Sequence, residues 1–92
     1  MSKIVLIVED YEDSRNFMKY LVESYGYEVI EAGDGIEAID KFKQFHPDLI
    51  LMDISMPVMD GFTATKLIRE SGNGISTIPI IAVSALNFMY LE

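Results

Sequence analysis

The hydrophobic positions of the chain fall into two alternating patterns, short continuous runs and helically spaced stripes. Four short apolar runs predict β-strands: residues 4–8, 27–30, 49–53 and 78–83. Three segments between them, with apolar residues at helical spacing, predict α-helices: residues 12–25, 35–46 and 61–70. Continuous apolar runs are typical of strands buried on both faces of a parallel sheet. The alternation therefore predicts an α/β fold with right-handed crossovers and helices on both faces of the sheet.

Local signals set the ends of these helices. Gly26 stops the first helix, Asp34 caps the second in a capping box with Glu37, and Asp60 caps the third. Two sets of apolar residues are expected to face the core. They are Ile36, Ile39, Phe42 and Phe45 on the second helix, and Ala64, Leu67 and Ile68 on the third.

Composition narrows the classes of partner. The chain has 92 residues, half of them hydrophobic, no cysteine and a formal net charge of −8. We expect residues 1–92 to form a single cytoplasmic domain. The acidic balance argues against direct nucleic-acid binding, and the apolar runs are too short for a membrane span. The net negative charge suits a site for cations or a docking surface for a basic partner.

Three carboxylates follow predicted strands that end at the same edge of a parallel sheet. Glu9 and Asp10 follow the first strand, and Asp53 ends the third. If these strands are neighbours, the carboxylates converge, and a hard divalent ion such as Mg²⁺ would offset their repulsion. Asp53 would then be placed to act as a nucleophile, with the Ser84 hydroxyl within reach of a phosphoryl oxygen. The alternative is that these acids only cap strand ends in solvent, and spacing alone leaves both interpretations open.

Several short motifs together resemble the receiver domain of two-component response regulators over residues 3–86. The motifs are Glu9-Asp10, Asp34-Gly35-x-Glu37-Ala38, Pro47-Asp48-Leu49-Ile50, Asp53, Met56-Pro57-x-Met59-Asp60-Gly61 and Ile80-Ile81-Ala82-Val83-Ser84-Ala85. Each is weak alone, and the combination is specific. The resemblance implies a flavodoxin-like fold with strand order 2-1-3-4-5.

The resemblance also implies roles for individual residues. Asp53 would be the phospho-acceptor, and Glu9, Asp10 and Asp53 would hold Mg²⁺ with the backbone carbonyl of Ser55. Ser84 would supply the hydroxyl that moves toward the phosphoryl group on activation. The phosphoryl group would come from a phosphohistidine on a histidine kinase or a histidine phosphotransfer protein. The implied function is a signalling module that shifts between two conformations, not an enzyme.

The chain departs from the family pattern after the fourth strand. A complete receiver has five βα units and a lysine at the end of the fifth strand. This chain has no counterpart of the fifth unit or of that lysine, so we expect phosphorylation to be impaired. Residues 86–92 are expected to form a stub or tail. The fourth strand would then be an exposed apolar edge, which predicts a homo-oligomer through that edge.

Two alternative functions remain open. One is a structural fragment that only folds and self-associates. The other is an aspartyl-phosphate phosphohydrolase with Asp53 as nucleophile. That class usually needs a second acid two residues after the nucleophile, where this chain has Ser55, so the spacing counts against it.

Overall fold

A computed structural model describes residues 3–53, 60–70 and 77–83, and the backbone of residues 88–91. Helices and strands alternate as the sequence predicts. The elements in chain order are β1 (Ile4–Val8), α1 (Glu12–Ser24), β2 (Glu28–Ala32), α2 (Gly35–Phe45), β3 (Leu49–Asp53), α3 (Gly61–Glu70), β4 (Ile80–Val83) and β5 (Phe88–Leu91).

The strands form one sheet in the order β2-β1-β3-β4-β5. Strands β2, β1, β3 and β4 are parallel, and β1 and β3 lie side by side at the centre. Helices α2 and α3 pack together on one face of the sheet, and α1 lies over β1 and β2. The flavodoxin-like architecture predicted from the sequence is confirmed.

The core lies between the sheet and the α2–α3 pair. Alternate residues of the strands point into it, since successive side chains of a strand face opposite sides of the sheet. The fully buried residues of this cluster are Leu6, Val8, Ala32, Ala38, Ile50, Met52, Ala64, Ile68 and Ile80. The two central strands are thereby held in the position that brings their carboxyl ends together.

The fifth strand corrects two expectations. Residues 88–91 form a strand that pairs with β4 in antiparallel orientation, with Val83 opposite Phe88 and Ile80 opposite Leu91. For residues 88–91 the prediction of a stub or tail is therefore wrong, and so is the prediction that β4 is an exposed edge. The physical reason is that a short connection suffices for an antiparallel neighbour, whereas a parallel one needs a crossover of about a dozen residues or more.

The inward faces of the helices differ in part from expectation. Ala38 is fully buried on α2 and Ile39 and Phe42 pack against the core, whereas Ile36 is exposed. On α3, Ala64 and Ile68 are buried and Leu67 is partly exposed. Small residues such as Ala38 and Ala64 let a helix backbone approach the sheet closely, so the buried arc centres on them.

The predicted helix ends are confirmed. Asp34 Oδ1 accepts a hydrogen bond from the Glu37 backbone N–H (2.8 Å), and Asp60 Oδ1 accepts one from the Thr63 N–H (2.9 Å). The Thr63 hydroxyl also donates to Asp60 Oδ2, and these hydrogen bonds lower the pKa of Asp60. Gly26 follows α1 with φ of +91°, the left-handed conformation of a helix C-terminus. No helix within the described ranges is long and apolar enough to cross a membrane.

Candidate metal centre

The site is built by the pairing of β1 with β3. The two strands are parallel neighbours with Val8 opposite Met52, so the residues that follow these positions lie at the same edge of the sheet. One carboxylate oxygen from each of Glu9, Asp10 and Asp53 lies within 4.8 Å of the others. The convergence predicted from the strand ends is therefore present in the fold.

The three carboxylates differ in their exposure to solvent. Asp53 is buried, with 9% of its surface exposed, Glu9 is half-buried and Asp10 is exposed. The cluster thus runs from a nearly enclosed carboxylate at the end of β3 to an open one at the surface. Among its three members, Asp10 therefore marks the side that is open to solvent.

The environment of the cluster raises the pKa of Glu9. Burial is the largest cause that raises the pKa of this carboxyl to about 7, and the hydrogen bond and charge of Asp53 add to it. The charge of Asp10 raises it further, while a hydrogen bond from the Tyr11 backbone N–H opposes the shift. Such a shift reflects carboxylates that are crowded together and partly removed from water.

This donor set fits a hard divalent cation. Carboxylate oxygens are the preferred protein ligands of Mg²⁺, which binds through one or two carboxylates and keeps other positions for water or phosphate oxygens. Glu9, Asp10 and Asp53 would supply such ligands. A cation bound there would also offset the repulsion that contributes to the raised pKa of Glu9.

The backbone of Glu9 is held from two sides. Its N–H donates to the carbonyl of Ala32 at the end of β2 (3.1 Å), and its carbonyl accepts from Arg15 Nη1 (3.0 Å). Arg15 also forms an ion pair with Glu31 of β2 (Nε–Oε1, 3.4 Å), and Lys19 contacts the same carboxylate (3.4 Å). Arg15 therefore fixes the turn that carries Glu9 and Asp10. Sequence reasoning missed it, because a basic residue in the first turns of a helix carries no signal in one sequence.

The structure does not test the roles that the sequence assigns to two serines. Ser55 and Ser84 lie outside the described residues, as do Met56, Pro57 and Met59 of the segment after β3. His46 caps the C-terminus of α2 and is not part of the acidic cluster.

Comparison with known proteins places the fold in one family. The sequence model of the response regulator receiver domain matches residues 5–89. The polar-differentiation response regulator DivK of Brucella ovis is 44% identical over 85 residues, which cover 92% of this chain and 68% of that protein.

Two solved structures are also similar. The receiver domain of the sensor histidine kinase PA1611 of Pseudomonas aeruginosa, which has a magnesium ion coordinated in its active site cleft, matches with a TM-score of 0.85 and 37% identity. That match covers 94% of this chain and 70% of the other. The chemotaxis protein CheY4 of Vibrio cholerae matches with a TM-score of 0.84 and 32% identity, over 92% of this chain and 73% of that one.

Proposed function

The chain belongs to the response regulator receiver domain family of two-component signalling, and on this premise we propose that it is a phospho-acceptor module that is phosphorylated on Asp53. The observation that carries the proposal is the position of Asp53. It is the buried carboxylate at the end of β3, and carboxylate oxygens of Glu9 and Asp10 lie within 4.8 Å of it.

The proposed reaction is a transfer from a phosphohistidine to a carboxylate. An Asp53 oxygen attacks the phosphorus atom, an O–P bond forms and the N–P bond breaks, and the electron pair of that bond returns to the imidazole nitrogen. The product is an acyl phosphate on Asp53 and a free histidine on the donor.

Glu9, Asp10 and Asp53 are proposed to hold Mg²⁺, together with the backbone carbonyl of Ser55. When bound, Mg²⁺ would supply positive charge beside the carboxylates and the transferring phosphoryl group. The burial of Asp53 restricts access to its carboxylate, which favours a donor that reaches it through the open side near Asp10. Ser84 is proposed to hydrogen-bond to the phosphoryl group, as its place after β4 implies.

The partner is proposed to be a histidine kinase or a histidine phosphotransfer protein, because the chemistry requires a phosphohistidine donor. PA1611, one of the similar proteins, is itself named a sensor histidine kinase. The role proposed for this chain is that of a switched acceptor, not of an enzyme with its own substrate. Phosphorylation would bias an equilibrium between two conformations of the domain.

The test is the intact mass of the protein after incubation with Mg²⁺ and acetyl phosphate. We expect one phosphoryl adduct on the wild-type chain, none on Asp53→Asn, and an unchanged adduct on Asp40→Asn, which alters an exposed aspartate of α2. Wild-type protein that is folded by circular dichroism but gains no adduct would overturn the proposal. So would an adduct that persists in Asp53→Asn.

A further inference from the structure

Helix α1 begins at a residue that does not cap it. Tyr11 occupies the N-cap position in an extended conformation, and its side chain makes no capping hydrogen bond. Helices α2 and α3 are capped by Asp34 and Asp60, whose carboxylates accept hydrogen bonds from backbone N–H groups of the first turn. Side-chain oxygens are favoured at the N-cap because the first N–H groups of a helix have no partner within it. Tyrosine therefore makes the start of α1 less stable than an aspartate or a serine would.

Burial does not compensate for the missing cap. Tyr11 is 62% exposed to solvent. An aromatic side chain stabilises a fold mainly through the apolar area that it removes from water, and a ring left this open removes little. Tyr11 therefore adds little to stability by either route. A residue that breaks a local rule without a gain in stability is expected at a functional site.

The backbone holds Tyr11 beside the acidic cluster. The residue follows Asp10 directly, and its N–H donates to Glu9 Oε1 (3.4 Å). Its carbonyl accepts a hydrogen bond from the Arg15 backbone N–H (2.9 Å), and the Arg15 side chain donates to the Glu9 carbonyl (3.0 Å). All of these contacts lie within residues 9–15, so they do not depend on the parts of the chain beyond β4. Tyr11 is thus fixed on the turn that carries two of the three clustered carboxylates, next to its open side.

We propose that Tyr11 is the docking residue for the phosphohistidine donor, and that its ring packs against the donor surface around the histidine. The inference rests on the proposed function, because it concerns the protein that supplies the phosphoryl group to Asp53. Tyrosine suits this role because it offers a large contact area at a low cost in conformational entropy and is enriched among the residues that dominate interfaces. Tyr11 is a specificity-determining residue and not a catalytic one, since its ring contacts the donor and not the reacting atoms.

The charges around Tyr11 define the chemistry of the donor surface. Asp10, Glu12 and Asp13 are exposed and adjoin Tyr11 in the sequence. Arg15, the nearest basic residue along the chain, is held by the carbonyl and the carboxylate described above. Like charges that face each other across an interface are unfavourable, which disfavours an acidic donor surface. The histidine of the donor should therefore be flanked by apolar and basic side chains.

The test compares two phosphoryl donors that share an N–P bond and differ in the surface around it. One is phosphoimidazole, and the other is a synthetic peptide whose phosphohistidine is flanked by leucine and arginine. Transfer to the full chain in the presence of Mg²⁺ is followed by intact mass. We expect the peptide to react faster than phosphoimidazole, because only the peptide offers Tyr11 a surface to bind. High ionic strength should reduce this advantage, since salt screens the attraction between arginine and the exposed acids.

Variants of two exposed tyrosines on α1 separate docking from a general loss of aromatic surface. Tyr11→Ser should lower the rate of transfer from the peptide about tenfold, as the loss of one aromatic interface contact implies, and leave the rate from phosphoimidazole unchanged. Tyr11→Phe should keep the peptide rate, because the ring supplies the contact. The matched control is Tyr20→Ser, since Tyr20 is 72% exposed further along the helix. It should leave both rates unchanged.

Urea unfolding of the same variants separates docking from structural support. Serine is a better N-cap than tyrosine, so Tyr11→Ser should raise the urea midpoint while it lowers the peptide rate. A residue that only supports the fold would lower both. A lower midpoint in Tyr11→Ser would therefore overturn the proposal.

The two donors also distinguish a failure of this inference from a failure of the proposed function. A peptide rate that is unchanged in Tyr11→Ser, or an equal loss with both donors, would overturn the inference alone. Wild-type protein that accepts the phosphoryl group from phosphoimidazole, and no faster from the peptide, would do the same. Folded protein that accepts it from neither donor would overturn the proposed function, and the inference with it.

Discussion

Carboxylate oxygens of Glu9 and Asp53 lie within 4.8 Å of each other, across the ends of two neighbouring parallel strands. Burial, followed by the hydrogen bond and charge of Asp53, raises the pKa of Glu9 to about 7. Near neutral pH, a proton on Glu9 therefore reduces the negative charge of the cluster, as a bound cation would. Proton binding and metal binding should compete at this site.

The first prediction concerns the pH dependence of stability without metal. The pKa of Glu9 rises from 4.5 in its ordinary state to about 7 in the fold, so the folded state binds this proton more tightly than the unfolded state. Its contribution is fully present below pH 4.5 and is lost as the pH rises to about 7. We expect Glu9 to lower the free energy of unfolding by about 1–2 kcal/mol across this range, less than the full shift implies because the carboxyl is partly solvated.

The measurement is urea unfolding at a series of pH values between about 4.5 and 8, with wild type, Glu9→Gln and the control Glu28→Gln. Glu28 is an exposed residue of the edge strand β2. The fall in stability should disappear in Glu9→Gln and persist in Glu28→Gln. Saturating Mg²⁺ should also reduce it, since the ion displaces the proton. An unchanged fall in Glu9→Gln would contradict the assignment.

The second prediction separates two basic residues that share one partner. Arg15 and Lys19 both contact Glu31, but Arg15 also donates to the Glu9 carbonyl. Arg15→Gln should lower the free energy of unfolding by about 1–2 kcal/mol and weaken Mg²⁺ binding about tenfold, because the turn that carries two of the ligands loses its support. Lys19→Gln should cost about 0.5 kcal/mol or less and leave Mg²⁺ affinity unchanged.

Urea unfolding and calorimetric titration with Mg²⁺ would measure both effects. Equal losses of Mg²⁺ affinity in the two variants would show that the ion pair with Glu31 matters and the bond to Glu9 does not.

The third prediction compares two glycines near the ends of elements. Gly26 has φ of +91°, and a methyl group added there would have no atom within 4 Å, so Gly26→Ala should be destabilising through backbone strain alone, by about 1–2 kcal/mol. A methyl group at Gly33 would lie 3.6 Å from Arg15 Nη1, an ordinary contact, so Gly33→Ala should be close to neutral. Thermal unfolding of both variants measures the difference, and a larger loss at Gly33 would refute it.

Much of the fold follows from the sequence because its signals are local. The apolar runs at residues 4–8 and 49–53 predict β1 and β3 with their observed bounds, and the caps at Asp34 and Asp60 are confirmed by hydrogen bonds. The meeting of Glu9 and Asp53 was predictable because parallel strands end at a common edge of the sheet.

The misses depend on contacts between distant parts of the chain. The periodicity of α1 does not reveal that Phe17 and Leu21 lie away from the core, because that depends on what covers the sheet beside the helix. The antiparallel strand β5 was missed because its pairing depends on the free edge of β4. The role of Arg15 depends on a carbonyl and a carboxylate in other elements.

The pairing of the two central strands, β1 and β3, has a consequence for folding. Phe88 pairs with Val83 across a short connection. Val5 pairs with Leu49 only when most of the first half of the chain forms a closed loop between them. Closing the longer loop costs more conformational entropy, because β1 and β3 are further apart in the sequence than β4 and β5. The acidic cluster cannot exist before that pairing, so any partly folded chain that lacks it also lacks the site.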